Sequence, residues 1–535
     1  MLDSGWITRA FRHEGRLTRR LFLSTATALA TLPTLGLEGA PSIRRRQRWS
    51  GNPFQQGVAS GDPDPTSVVL WTRLGPNPGE PGNGIGPEAV EVRWELAENE
   101  AMTRRVRRGV TWATPQLGHS VHVEVGGLQP GREYWYRFLV DGAESPKGRT
   151  RTLPAPDSMP GELRFAFASC QHFEDGLFTA YDAMRRDRPD FVVHLGDYIY
   201  EGPGADKKVR RHTGPPKRRL RTLDEYRERH ALYRSDPWLQ AMHRECPWLV
   251  TWDDHEFDNN YAAAISEKKD EDPVEFLVRR AAAYQAYYEA MPLRARSLPR
   301  GPHMDLYRSA SFGRLAEFLV LDTRQYRTDQ PNGDVSSPLN AAAMDPRNSL
   351  LGASQRHWMD ARLLASRATW NVLAQQVMMG LVARPPAKDG GEPLYSMDQW
   401  PGAAAERIAI GRFLAERRIP NPVVLTGDIH SNWVNNLRVD DRQADAPVVA
   451  TEFVGTSVTS GGNGKLDPGA EAKLKALNPC VRFFSRERGY VRCRVTPGEW
   501  RSDYVAVEDV TQPNGRAVTR RSFVVEAGRP GAVEA

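Results

Sequence analysis

Three short acidic motifs, each placed directly after an apolar run, hold the residues of this sequence that could do chemistry. Gly196-Asp197-Tyr198-Ile199-Tyr200 follows Phe191-Val192-Val193-His194-Leu195. Asp253-Asp254-His255-Glu256 follows Trp248-Leu249-Val250-Thr251-Trp252, and Gly427-Asp428-Ile429-His430 follows Val423-Val424-Leu425-Thr426. Apolar runs of this length read as buried strands. A carboxylate just past such a strand stands at the sheet rim, where α/β folds build their sites. Carboxylates that converge cannot all stay ionised without a cation between them, so the pattern predicts a metal centre. Asp197 and Tyr200 offer hard oxygen, and a phenolate suits a ferric ion. Asp254 and His255 set an oxygen ligand beside a proton donor. Asp428 and His430, one residue apart in an extended segment, point the same way.

The elements that must position these motifs fall into two regions. Residues 54–153 look all-β: Ser67-Val68-Val69-Leu70-Trp71-Thr72 and Val90-Glu91-Val92-Arg93-Trp94-Glu95 alternate as half-buried strands do. Gly127 to Tyr136 carries the pattern of a tyrosine-corner strand, so a β-sandwich of immunoglobulin or fibronectin III type is expected there. A Pro-rich stretch at 154–160 marks a boundary. Beyond it, strands at 163–168, 191–195, 314–321 and 369–374 alternate with helices at 177–186, 274–290, 354–365 (capped by Ser354) and 403–416. This alternation predicts an α/β catalytic domain over 161–505, with packed mixed sheets flanked by helices, and a C-terminal tail over 506–535. The basic segment 207–221 reads as a loop.

A chain of 535 residues exceeds one ordinary core. Its formal charge of +6 is small for the length, with much of the excess near the N-terminus, and does not imply nucleic-acid binding, which needs a clustered basic face. Thr18-Arg19-Arg20-Leu21-Phe22-Leu23 opens an apolar stretch that is too short for a membrane span. It reads as a twin-arginine export signal over 1–40, followed by a basic linker at 41–53, and places the protein in the periplasm or outside the cell. The export machinery is then its one expected protein partner. Four cysteines make no disulfide framework; Cys480 and Cys493 read equally well as a hairpin bridge or as free buried thiols.

The motif set resembles the calcineurin-like metallophosphoesterases and, more closely, the alkaline phosphatase D (PhoD) family. The resemblance rests on Phe167-Ala168-Ser169-Cys170-Gln171, Gly196 to Glu201, Thr251 to Glu256, Leu321 to Arg327, Gln375-Gln376-Val377-Met378 and Thr426 to His430. It implies that Cys170, in place of the superfamily's first Asp, binds iron with Tyr200, and that Asp197 bridges two metals. Asp254 and Asp428 stand where the superfamily has Asn and His, His430 keeps the second His, and carboxylate for nitrogen favours calcium at the second position. The implied cofactors are ferric iron and calcium. His255 becomes the residue that contacts the phosphate or protonates the leaving oxygen, while Arg324 and Gln376 become candidate substrate contacts. The implied reaction is hydrolysis of a phosphate monoester or diester by in-line attack of metal-bound hydroxide. A phosphodiesterase or phospholipase D activity on the same centre, or a secreted binding protein with a structural metal site, are the competing readings.

Overall fold

The computed structural model describes residue 49 and residues 51–77, 84–203, 209–210, 218–386 and 391–535. The expected signal segment and much of the basic segment 207–221 lie outside the described residues. Strands β1 (Val58–Gly61) and β2 (Val68–Arg73) are buried along their whole length. β3 (Val90–Ala97), β4 (Arg107–Ala113), β5 (Ser120–Val125) and β6 (Glu133–Val140) follow. In β6 every second residue is buried, as a sheet with one covered face requires. β7 (Ala143–Glu144) and β8 (Gly148–Arg151) both pair with β6. The set β4-β3-β6 faces β2 and β5 across a shared core of Val68, Leu70, Val92, Tyr136 and Phe138. The Tyr134 hydroxyl accepts from the Gln129 N–H at 2.9 Å, which is the corner expected at this place.

After the Pro-rich stretch come β9 (Leu163–Ala168), α1 (Thr179–Arg186), β10 (Phe191–His194), α2 (Leu223–Arg234), α3 (Pro237–Glu245) and β11 (Trp248–Val250). α4 (Pro273–Ala290) leads to β12 (Arg308–Phe312) and β13 (Ala316–Val320). Next are α5 (Gly352–Ala365), β14 (Trp370–Ala374), α6 (Ala404–Glu416) and β15 (Pro422–Thr426). β16 (Asn432–Arg438), β17 (Val448–Val454), α7 (Pro468–Leu477) and β18 (Val481–Ser485) follow. The chain closes with β19 (Arg488–Val495), β20 (Glu499–Val507), β21 (Ala517–Glu526) and β22 (Arg529–Glu534). The helix expected from a Ser354 cap starts earlier, at Gly352, with Leu351 at the cap position and no side-chain cap; the Ser349 hydroxyl, three residues before Gly352, accepts its N–H at 2.8 Å.

Two mixed sheets stack face to face. One has the order β22-β21-β20-β19-β9-β10-β11-β1-β2-β5, the other β12-β13-β14-β15-β17-β16-β18. Phe165, Phe167, Val193 and Trp500 of the first pack on Phe318, Val372, Leu425 and Phe453 of the second. The outer face of the first sheet is covered by α1 to α4, through residues such as Met184, Leu239 and Phe276. That of the second is covered by α5 and α6, through Met359 and Ile410. Two features depart from expectation. The 54–153 region does not close on itself, since β1 pairs in parallel with β11 and carries β2 and β5 into the large sheet. Residues 506–535 are no tail: β21 and β22 are sheet strands, and Phe523 and Val525 reach the core between the sheets.

Candidate metal centre

β9, β10 and β11 run in parallel and end side by side, and β15 ends opposite them in the second sheet. The loops leaving these four ends carry the motif residues. Cys170, Asp197, Asp428 and His430 all adopt left-handed backbone, with φ of 59°, 53°, 62° and 51°. This region costs an L-residue energy and concentrates at functional sites. It turns each side chain sharply off its strand axis toward the common centre. Two glycines permit the loops to meet. A Cβ on Gly196 (φ 107°) would stand 2.4 Å from the Asp253 nitrogen, and one on Gly427 would stand 2.6 Å from the Ser169 hydroxyl. The Glu256 carboxylate locks the first two loops together by accepting the N–H groups of Asp197 (3.1 Å), Tyr198 (2.6 Å) and Asp253 (2.9 Å).

Three overlapping groups of candidate ligands result: Cys170, Asp197 and His430; Asp197, Asp254 and His255; Asp253, Asp254 and Asp428. Within each, ligand atoms lie within 4.8 Å of one another. Asp197 belongs to the first two and Asp254 to the last two, so the groups form one chain. Tyr200 joins the first: its hydroxyl donates to Asp197 Oδ2 at 2.8 Å, lies 3.1 Å from His430 Nε2 and accepts from Ser460 at 2.7 Å. Two buried carboxylate oxygens, Asp197 Oδ1 and Asp253 Oδ2, have no hydrogen-bond partner. A buried, unpaired carboxylate oxygen is costly, and a cation is what would satisfy both.

The electrostatics agree. Burial pushes Asp253 and Asp428 up, and burial reinforced by Asp197 and Asp428 takes Asp254 to about 7 despite Arg324 and His255. Burial and the nearby Asp197 raise Cys170 and Tyr200 as well. Of the four aspartates in the three ligand groups, Asp197 is the one held low, where His255 and His430 outweigh its burial. His255 is held high against its own burial by Asp254, Glu201 and Asp197. So many acids held away from ionisation in one place describe a site built around positive charge that the side chains supply only in part. The side chains of His430, His255 and Asp428 are 37%, 21% and 19% exposed, which makes theirs the open side of the centre.

The structure thus brings together Cys170, Asp197, Tyr200, Asp254, His255, Asp428 and His430. It gives the two expected substrate contacts other work. Gln376 is fully buried; it donates to Thr251 Oγ1 and the Leu321 carbonyl and accepts twice from Thr323, which uses its whole amide. Arg324 is equally buried, with Nε 2.5 Å from Asp253 and a two-pronged contact with Asp398 at 2.7 and 3.0 Å. Its Nη2 lies 3.7 Å from both Asp254 and Asp428, so it balances acids of the centre from behind. Asp322 meets Arg324 through backbone only, accepting its N–H. Sequence reasoning gave Asp253, Glu201, Asp398 and Ser460 no role in the centre. Glu201 holds His255 Nδ1 at 2.7 Å, a partnership that spacing does not disclose, since the pair is 54 residues apart in sequence. All four cysteines are buried and unpaired, Cys480 and Cys493 included.

Stacked mixed sheets between helical layers, with acids, a thiol, a phenol and histidines gathered at the strand ends, define the class: a mixed α/β protein with a candidate metal centre at its sheet rim. Comparison with known proteins carries this to a family. Residues 165–504 match the family of PhoD-like phosphatases, and residues 39–154 match the N-terminal domain of PhoD-like phosphatases. The chain is 47% identical over 523 residues to alkaline phosphatase D of Bacillus subtilis (strain 168), covering 96% of this chain and 88% of that protein. The solved structure of PhoD superposes with a TM-score of 0.88 at 47% identity, over 91% of this chain and 93% of that one. The chain belongs to the PhoD-like phosphatase family and is a phosphoric ester hydrolase of the alkaline phosphatase type.

Proposed function

We propose that the protein is an exported, metal-dependent phosphate-ester hydrolase. Iron would be held by Cys170, Asp197, Tyr200 and His430, and calcium by Asp197, Asp254 and Asp428, with Asp253 beside them. The observation that carries this reading is the chain of three ligand groups joined through Asp197 and Asp254, with two orphaned carboxylate oxygens inside it. Charge balance supports the two ions. Cys170, Asp197 and Tyr200 bear three negative charges when ionised, which suits a trivalent ion with soft and hard donors. Asp253, Asp254, Asp398 and Asp428 bear four negative charges when ionised against the guanidinium charges of Arg324 and Arg327, with His255 beside Asp254, so this all-oxygen side stays in negative surplus and suits a divalent hard ion.

When bound, such ions supply charge neutralisation for a phosphate and a lowered pKa for water. The protein's own part is orientation and proton delivery. Glu201 accepts the Asn259 N–H at 3.2 Å and holds His255 by Nδ1, so Nε2 is the atom that protonates the departing alcohol after in-line attack. No covalent enzyme intermediate is required. Export by the twin-arginine route rests on Arg19-Arg20 and the apolar stretch behind it, and suits a centre assembled before transport. A sandwich of immunoglobulin or fibronectin III type over 54–153 is supported by the Tyr134 corner, with the catalytic domain beginning near 161.

Metal analysis of protein purified from an exporting host, paired with turnover of an aryl phosphate and a bis-aryl phosphate, tests the reading. Iron and calcium are expected to co-purify, and chelation should abolish hydrolysis of both esters. The ratio of the two rates assigns monoester or diester preference. His255→Ala should slow turnover with metal content intact. A fully metal-loaded protein that hydrolyses neither ester would leave only a structural metal site, and loss of metal in the His255 variant would make that residue a ligand.

A further inference from the structure

A second charged site lies at the other end of the large sheet. A cleft of about 770 Å³ opens between the β6–β8 hairpin, α1 and α3. Lys147, Arg149, Arg185, Arg186, Arg188 and Arg244 line it, against three acids, Glu100, Asp182 and Glu245. The surplus of three positive charges in one cleft is half the formal charge of the whole chain. Not all of these cations are available. Arg185 and Arg186 share Asp182, and Arg149 is held by Glu133 and Glu245. Lys147, Arg188 and Arg244 enter no ion pair among the described residues; Lys147 donates only to the Glu100 carbonyl at 3.2 Å. Trp135, half-buried and in register with Arg149, forms part of the wall.

The contrast with the neighbouring surface is informative. On the outer face of the same small sheet, Arg108 and Arg137 are matched by Glu95 and Glu144. Charge is therefore balanced at these two arginines, while the cleft keeps three cations without an acidic partner among the described residues. Its cations come from three places, the β6–β8 hairpin, α1 with the turn after it, and α3, drawn from both family-matched regions, 39–154 and 165–504. The cleft is also remote from the candidate metal centre. Arg188 precedes β10 and Asp197 follows it; Glu245 precedes β11 and Asp253 follows it. At the rise of an extended strand these ends are about 20–30 Å apart.

We infer that this cleft is an anion-binding exosite for a linear phosphate polymer, engaged by Lys147, Arg188 and Arg244 at a distance from the reacting centre. Spaced cations in a concave wall concentrate a polyanion and speed its capture, and an aromatic wall adds contact area to a flexible chain. The site needs no bound metal and makes no demand on the chemistry proposed above.

The test is binding of fluorescently labelled linear polyphosphate to the metal-loaded enzyme, read by anisotropy with orthophosphate present in saturating amount to occupy the catalytic centre. Binding should persist under orthophosphate and weaken with added salt. It should fall about tenfold or more in the triple variant Lys147→Glu/Arg188→Glu/Arg244→Glu. Hydrolysis of a small aryl phosphate, measured on the same preparations, should be unchanged. That shows the variant to be folded and separates failure of the exosite from failure of the catalytic reading. Should the triple variant not fold, the Gln variants at the same positions carry the same expectation. Equal affinity of variant and wild type, or complete displacement by orthophosphate, would overturn the assignment.

Discussion

At the residue scale the centre is defined as much by what holds the ligands as by the ligands. Glu256 is the clearest case, since one carboxylate fixes the backbone of both Asp197 and Asp253. Glu256→Gln places an amide N–H against backbone donors and should weaken metal retention or turnover about 10- to 100-fold, as loss of a supporting shell does. Metal content and kcat of the folded variant check this. Arg324 is a different kind of support. Arg324→Met leaves Asp253 buried without its partner and Asp398 with Arg327 alone, and should cost about 3–5 kcal/mol of stability, read from urea unfolding. The convergence of the candidate ligand residues was legible because strand–Gly–Asp and Asp–x–His spacings are local signals. Their supporters were not. Gln376 and Arg324 sit in motifs too, and only their saturated partners in space show that they brace the site from inside.

At the element scale the apolar runs were reliable guides. The strands at 191–195, 369–374 and the helix at 274–290 appear within a residue or two of expectation, because burial on one or both faces fixes the period. What alternation does not encode is which strand lies next to which, and so β1 beside β11, and β21 and β22 beyond β20, came only from the three-dimensional pairing. The seam created by β1, β2 and β5 has its own chemistry. His122 on β5 stacks on Tyr288 of α4 at 4.5 Å, with Nε2 3.0 and 2.9 Å from the carbonyls of Tyr288 and Met291. Burial depresses its pKa from 6.5 to about 4. Between those values the unfolded chain binds the proton and the folded one does not, so stability present above pH 6.5 is lost as pH falls toward 4. Urea midpoints at pH 7 and pH 4.5 should diverge less in His122→Gln than in the wild type. Equal divergence would show that the seam does not titrate.

At the scale of the whole molecule, the candidate centre is where the two sheets are joined by charge as well as by packing. Ions held between the ends of β9, β10 and β11 on one side and β15 on the other would tie the sheets together at their rims. Because a cation there binds only the folded chain, chelation should lower the melting temperature, by the equivalent of about 2.7 kcal/mol at a hundredfold excess over Kd. Differential scanning calorimetry with and without chelator measures it, and an unchanged transition would mean that the centre holds no ion. The large fold was readable in outline because repeated strand–helix alternation permits few architectures. The site was readable in part because convergence of loops is a property of the sheet and not of any one segment. The left-handed turns at Cys170, Asp197, Asp428 and His430 give this molecule an uneven mutational landscape. Glycine at any of the four relieves backbone strain of about 1 kcal/mol or more and, at the two acids, removes a buried carboxylate. A selection for thermal tolerance of the metal-free protein should therefore enrich glycine at these positions, and a selection for phosphate release should purge it. Sequence variation gathered under the first pressure would mark the most indispensable residues of the enzyme as its most improvable ones.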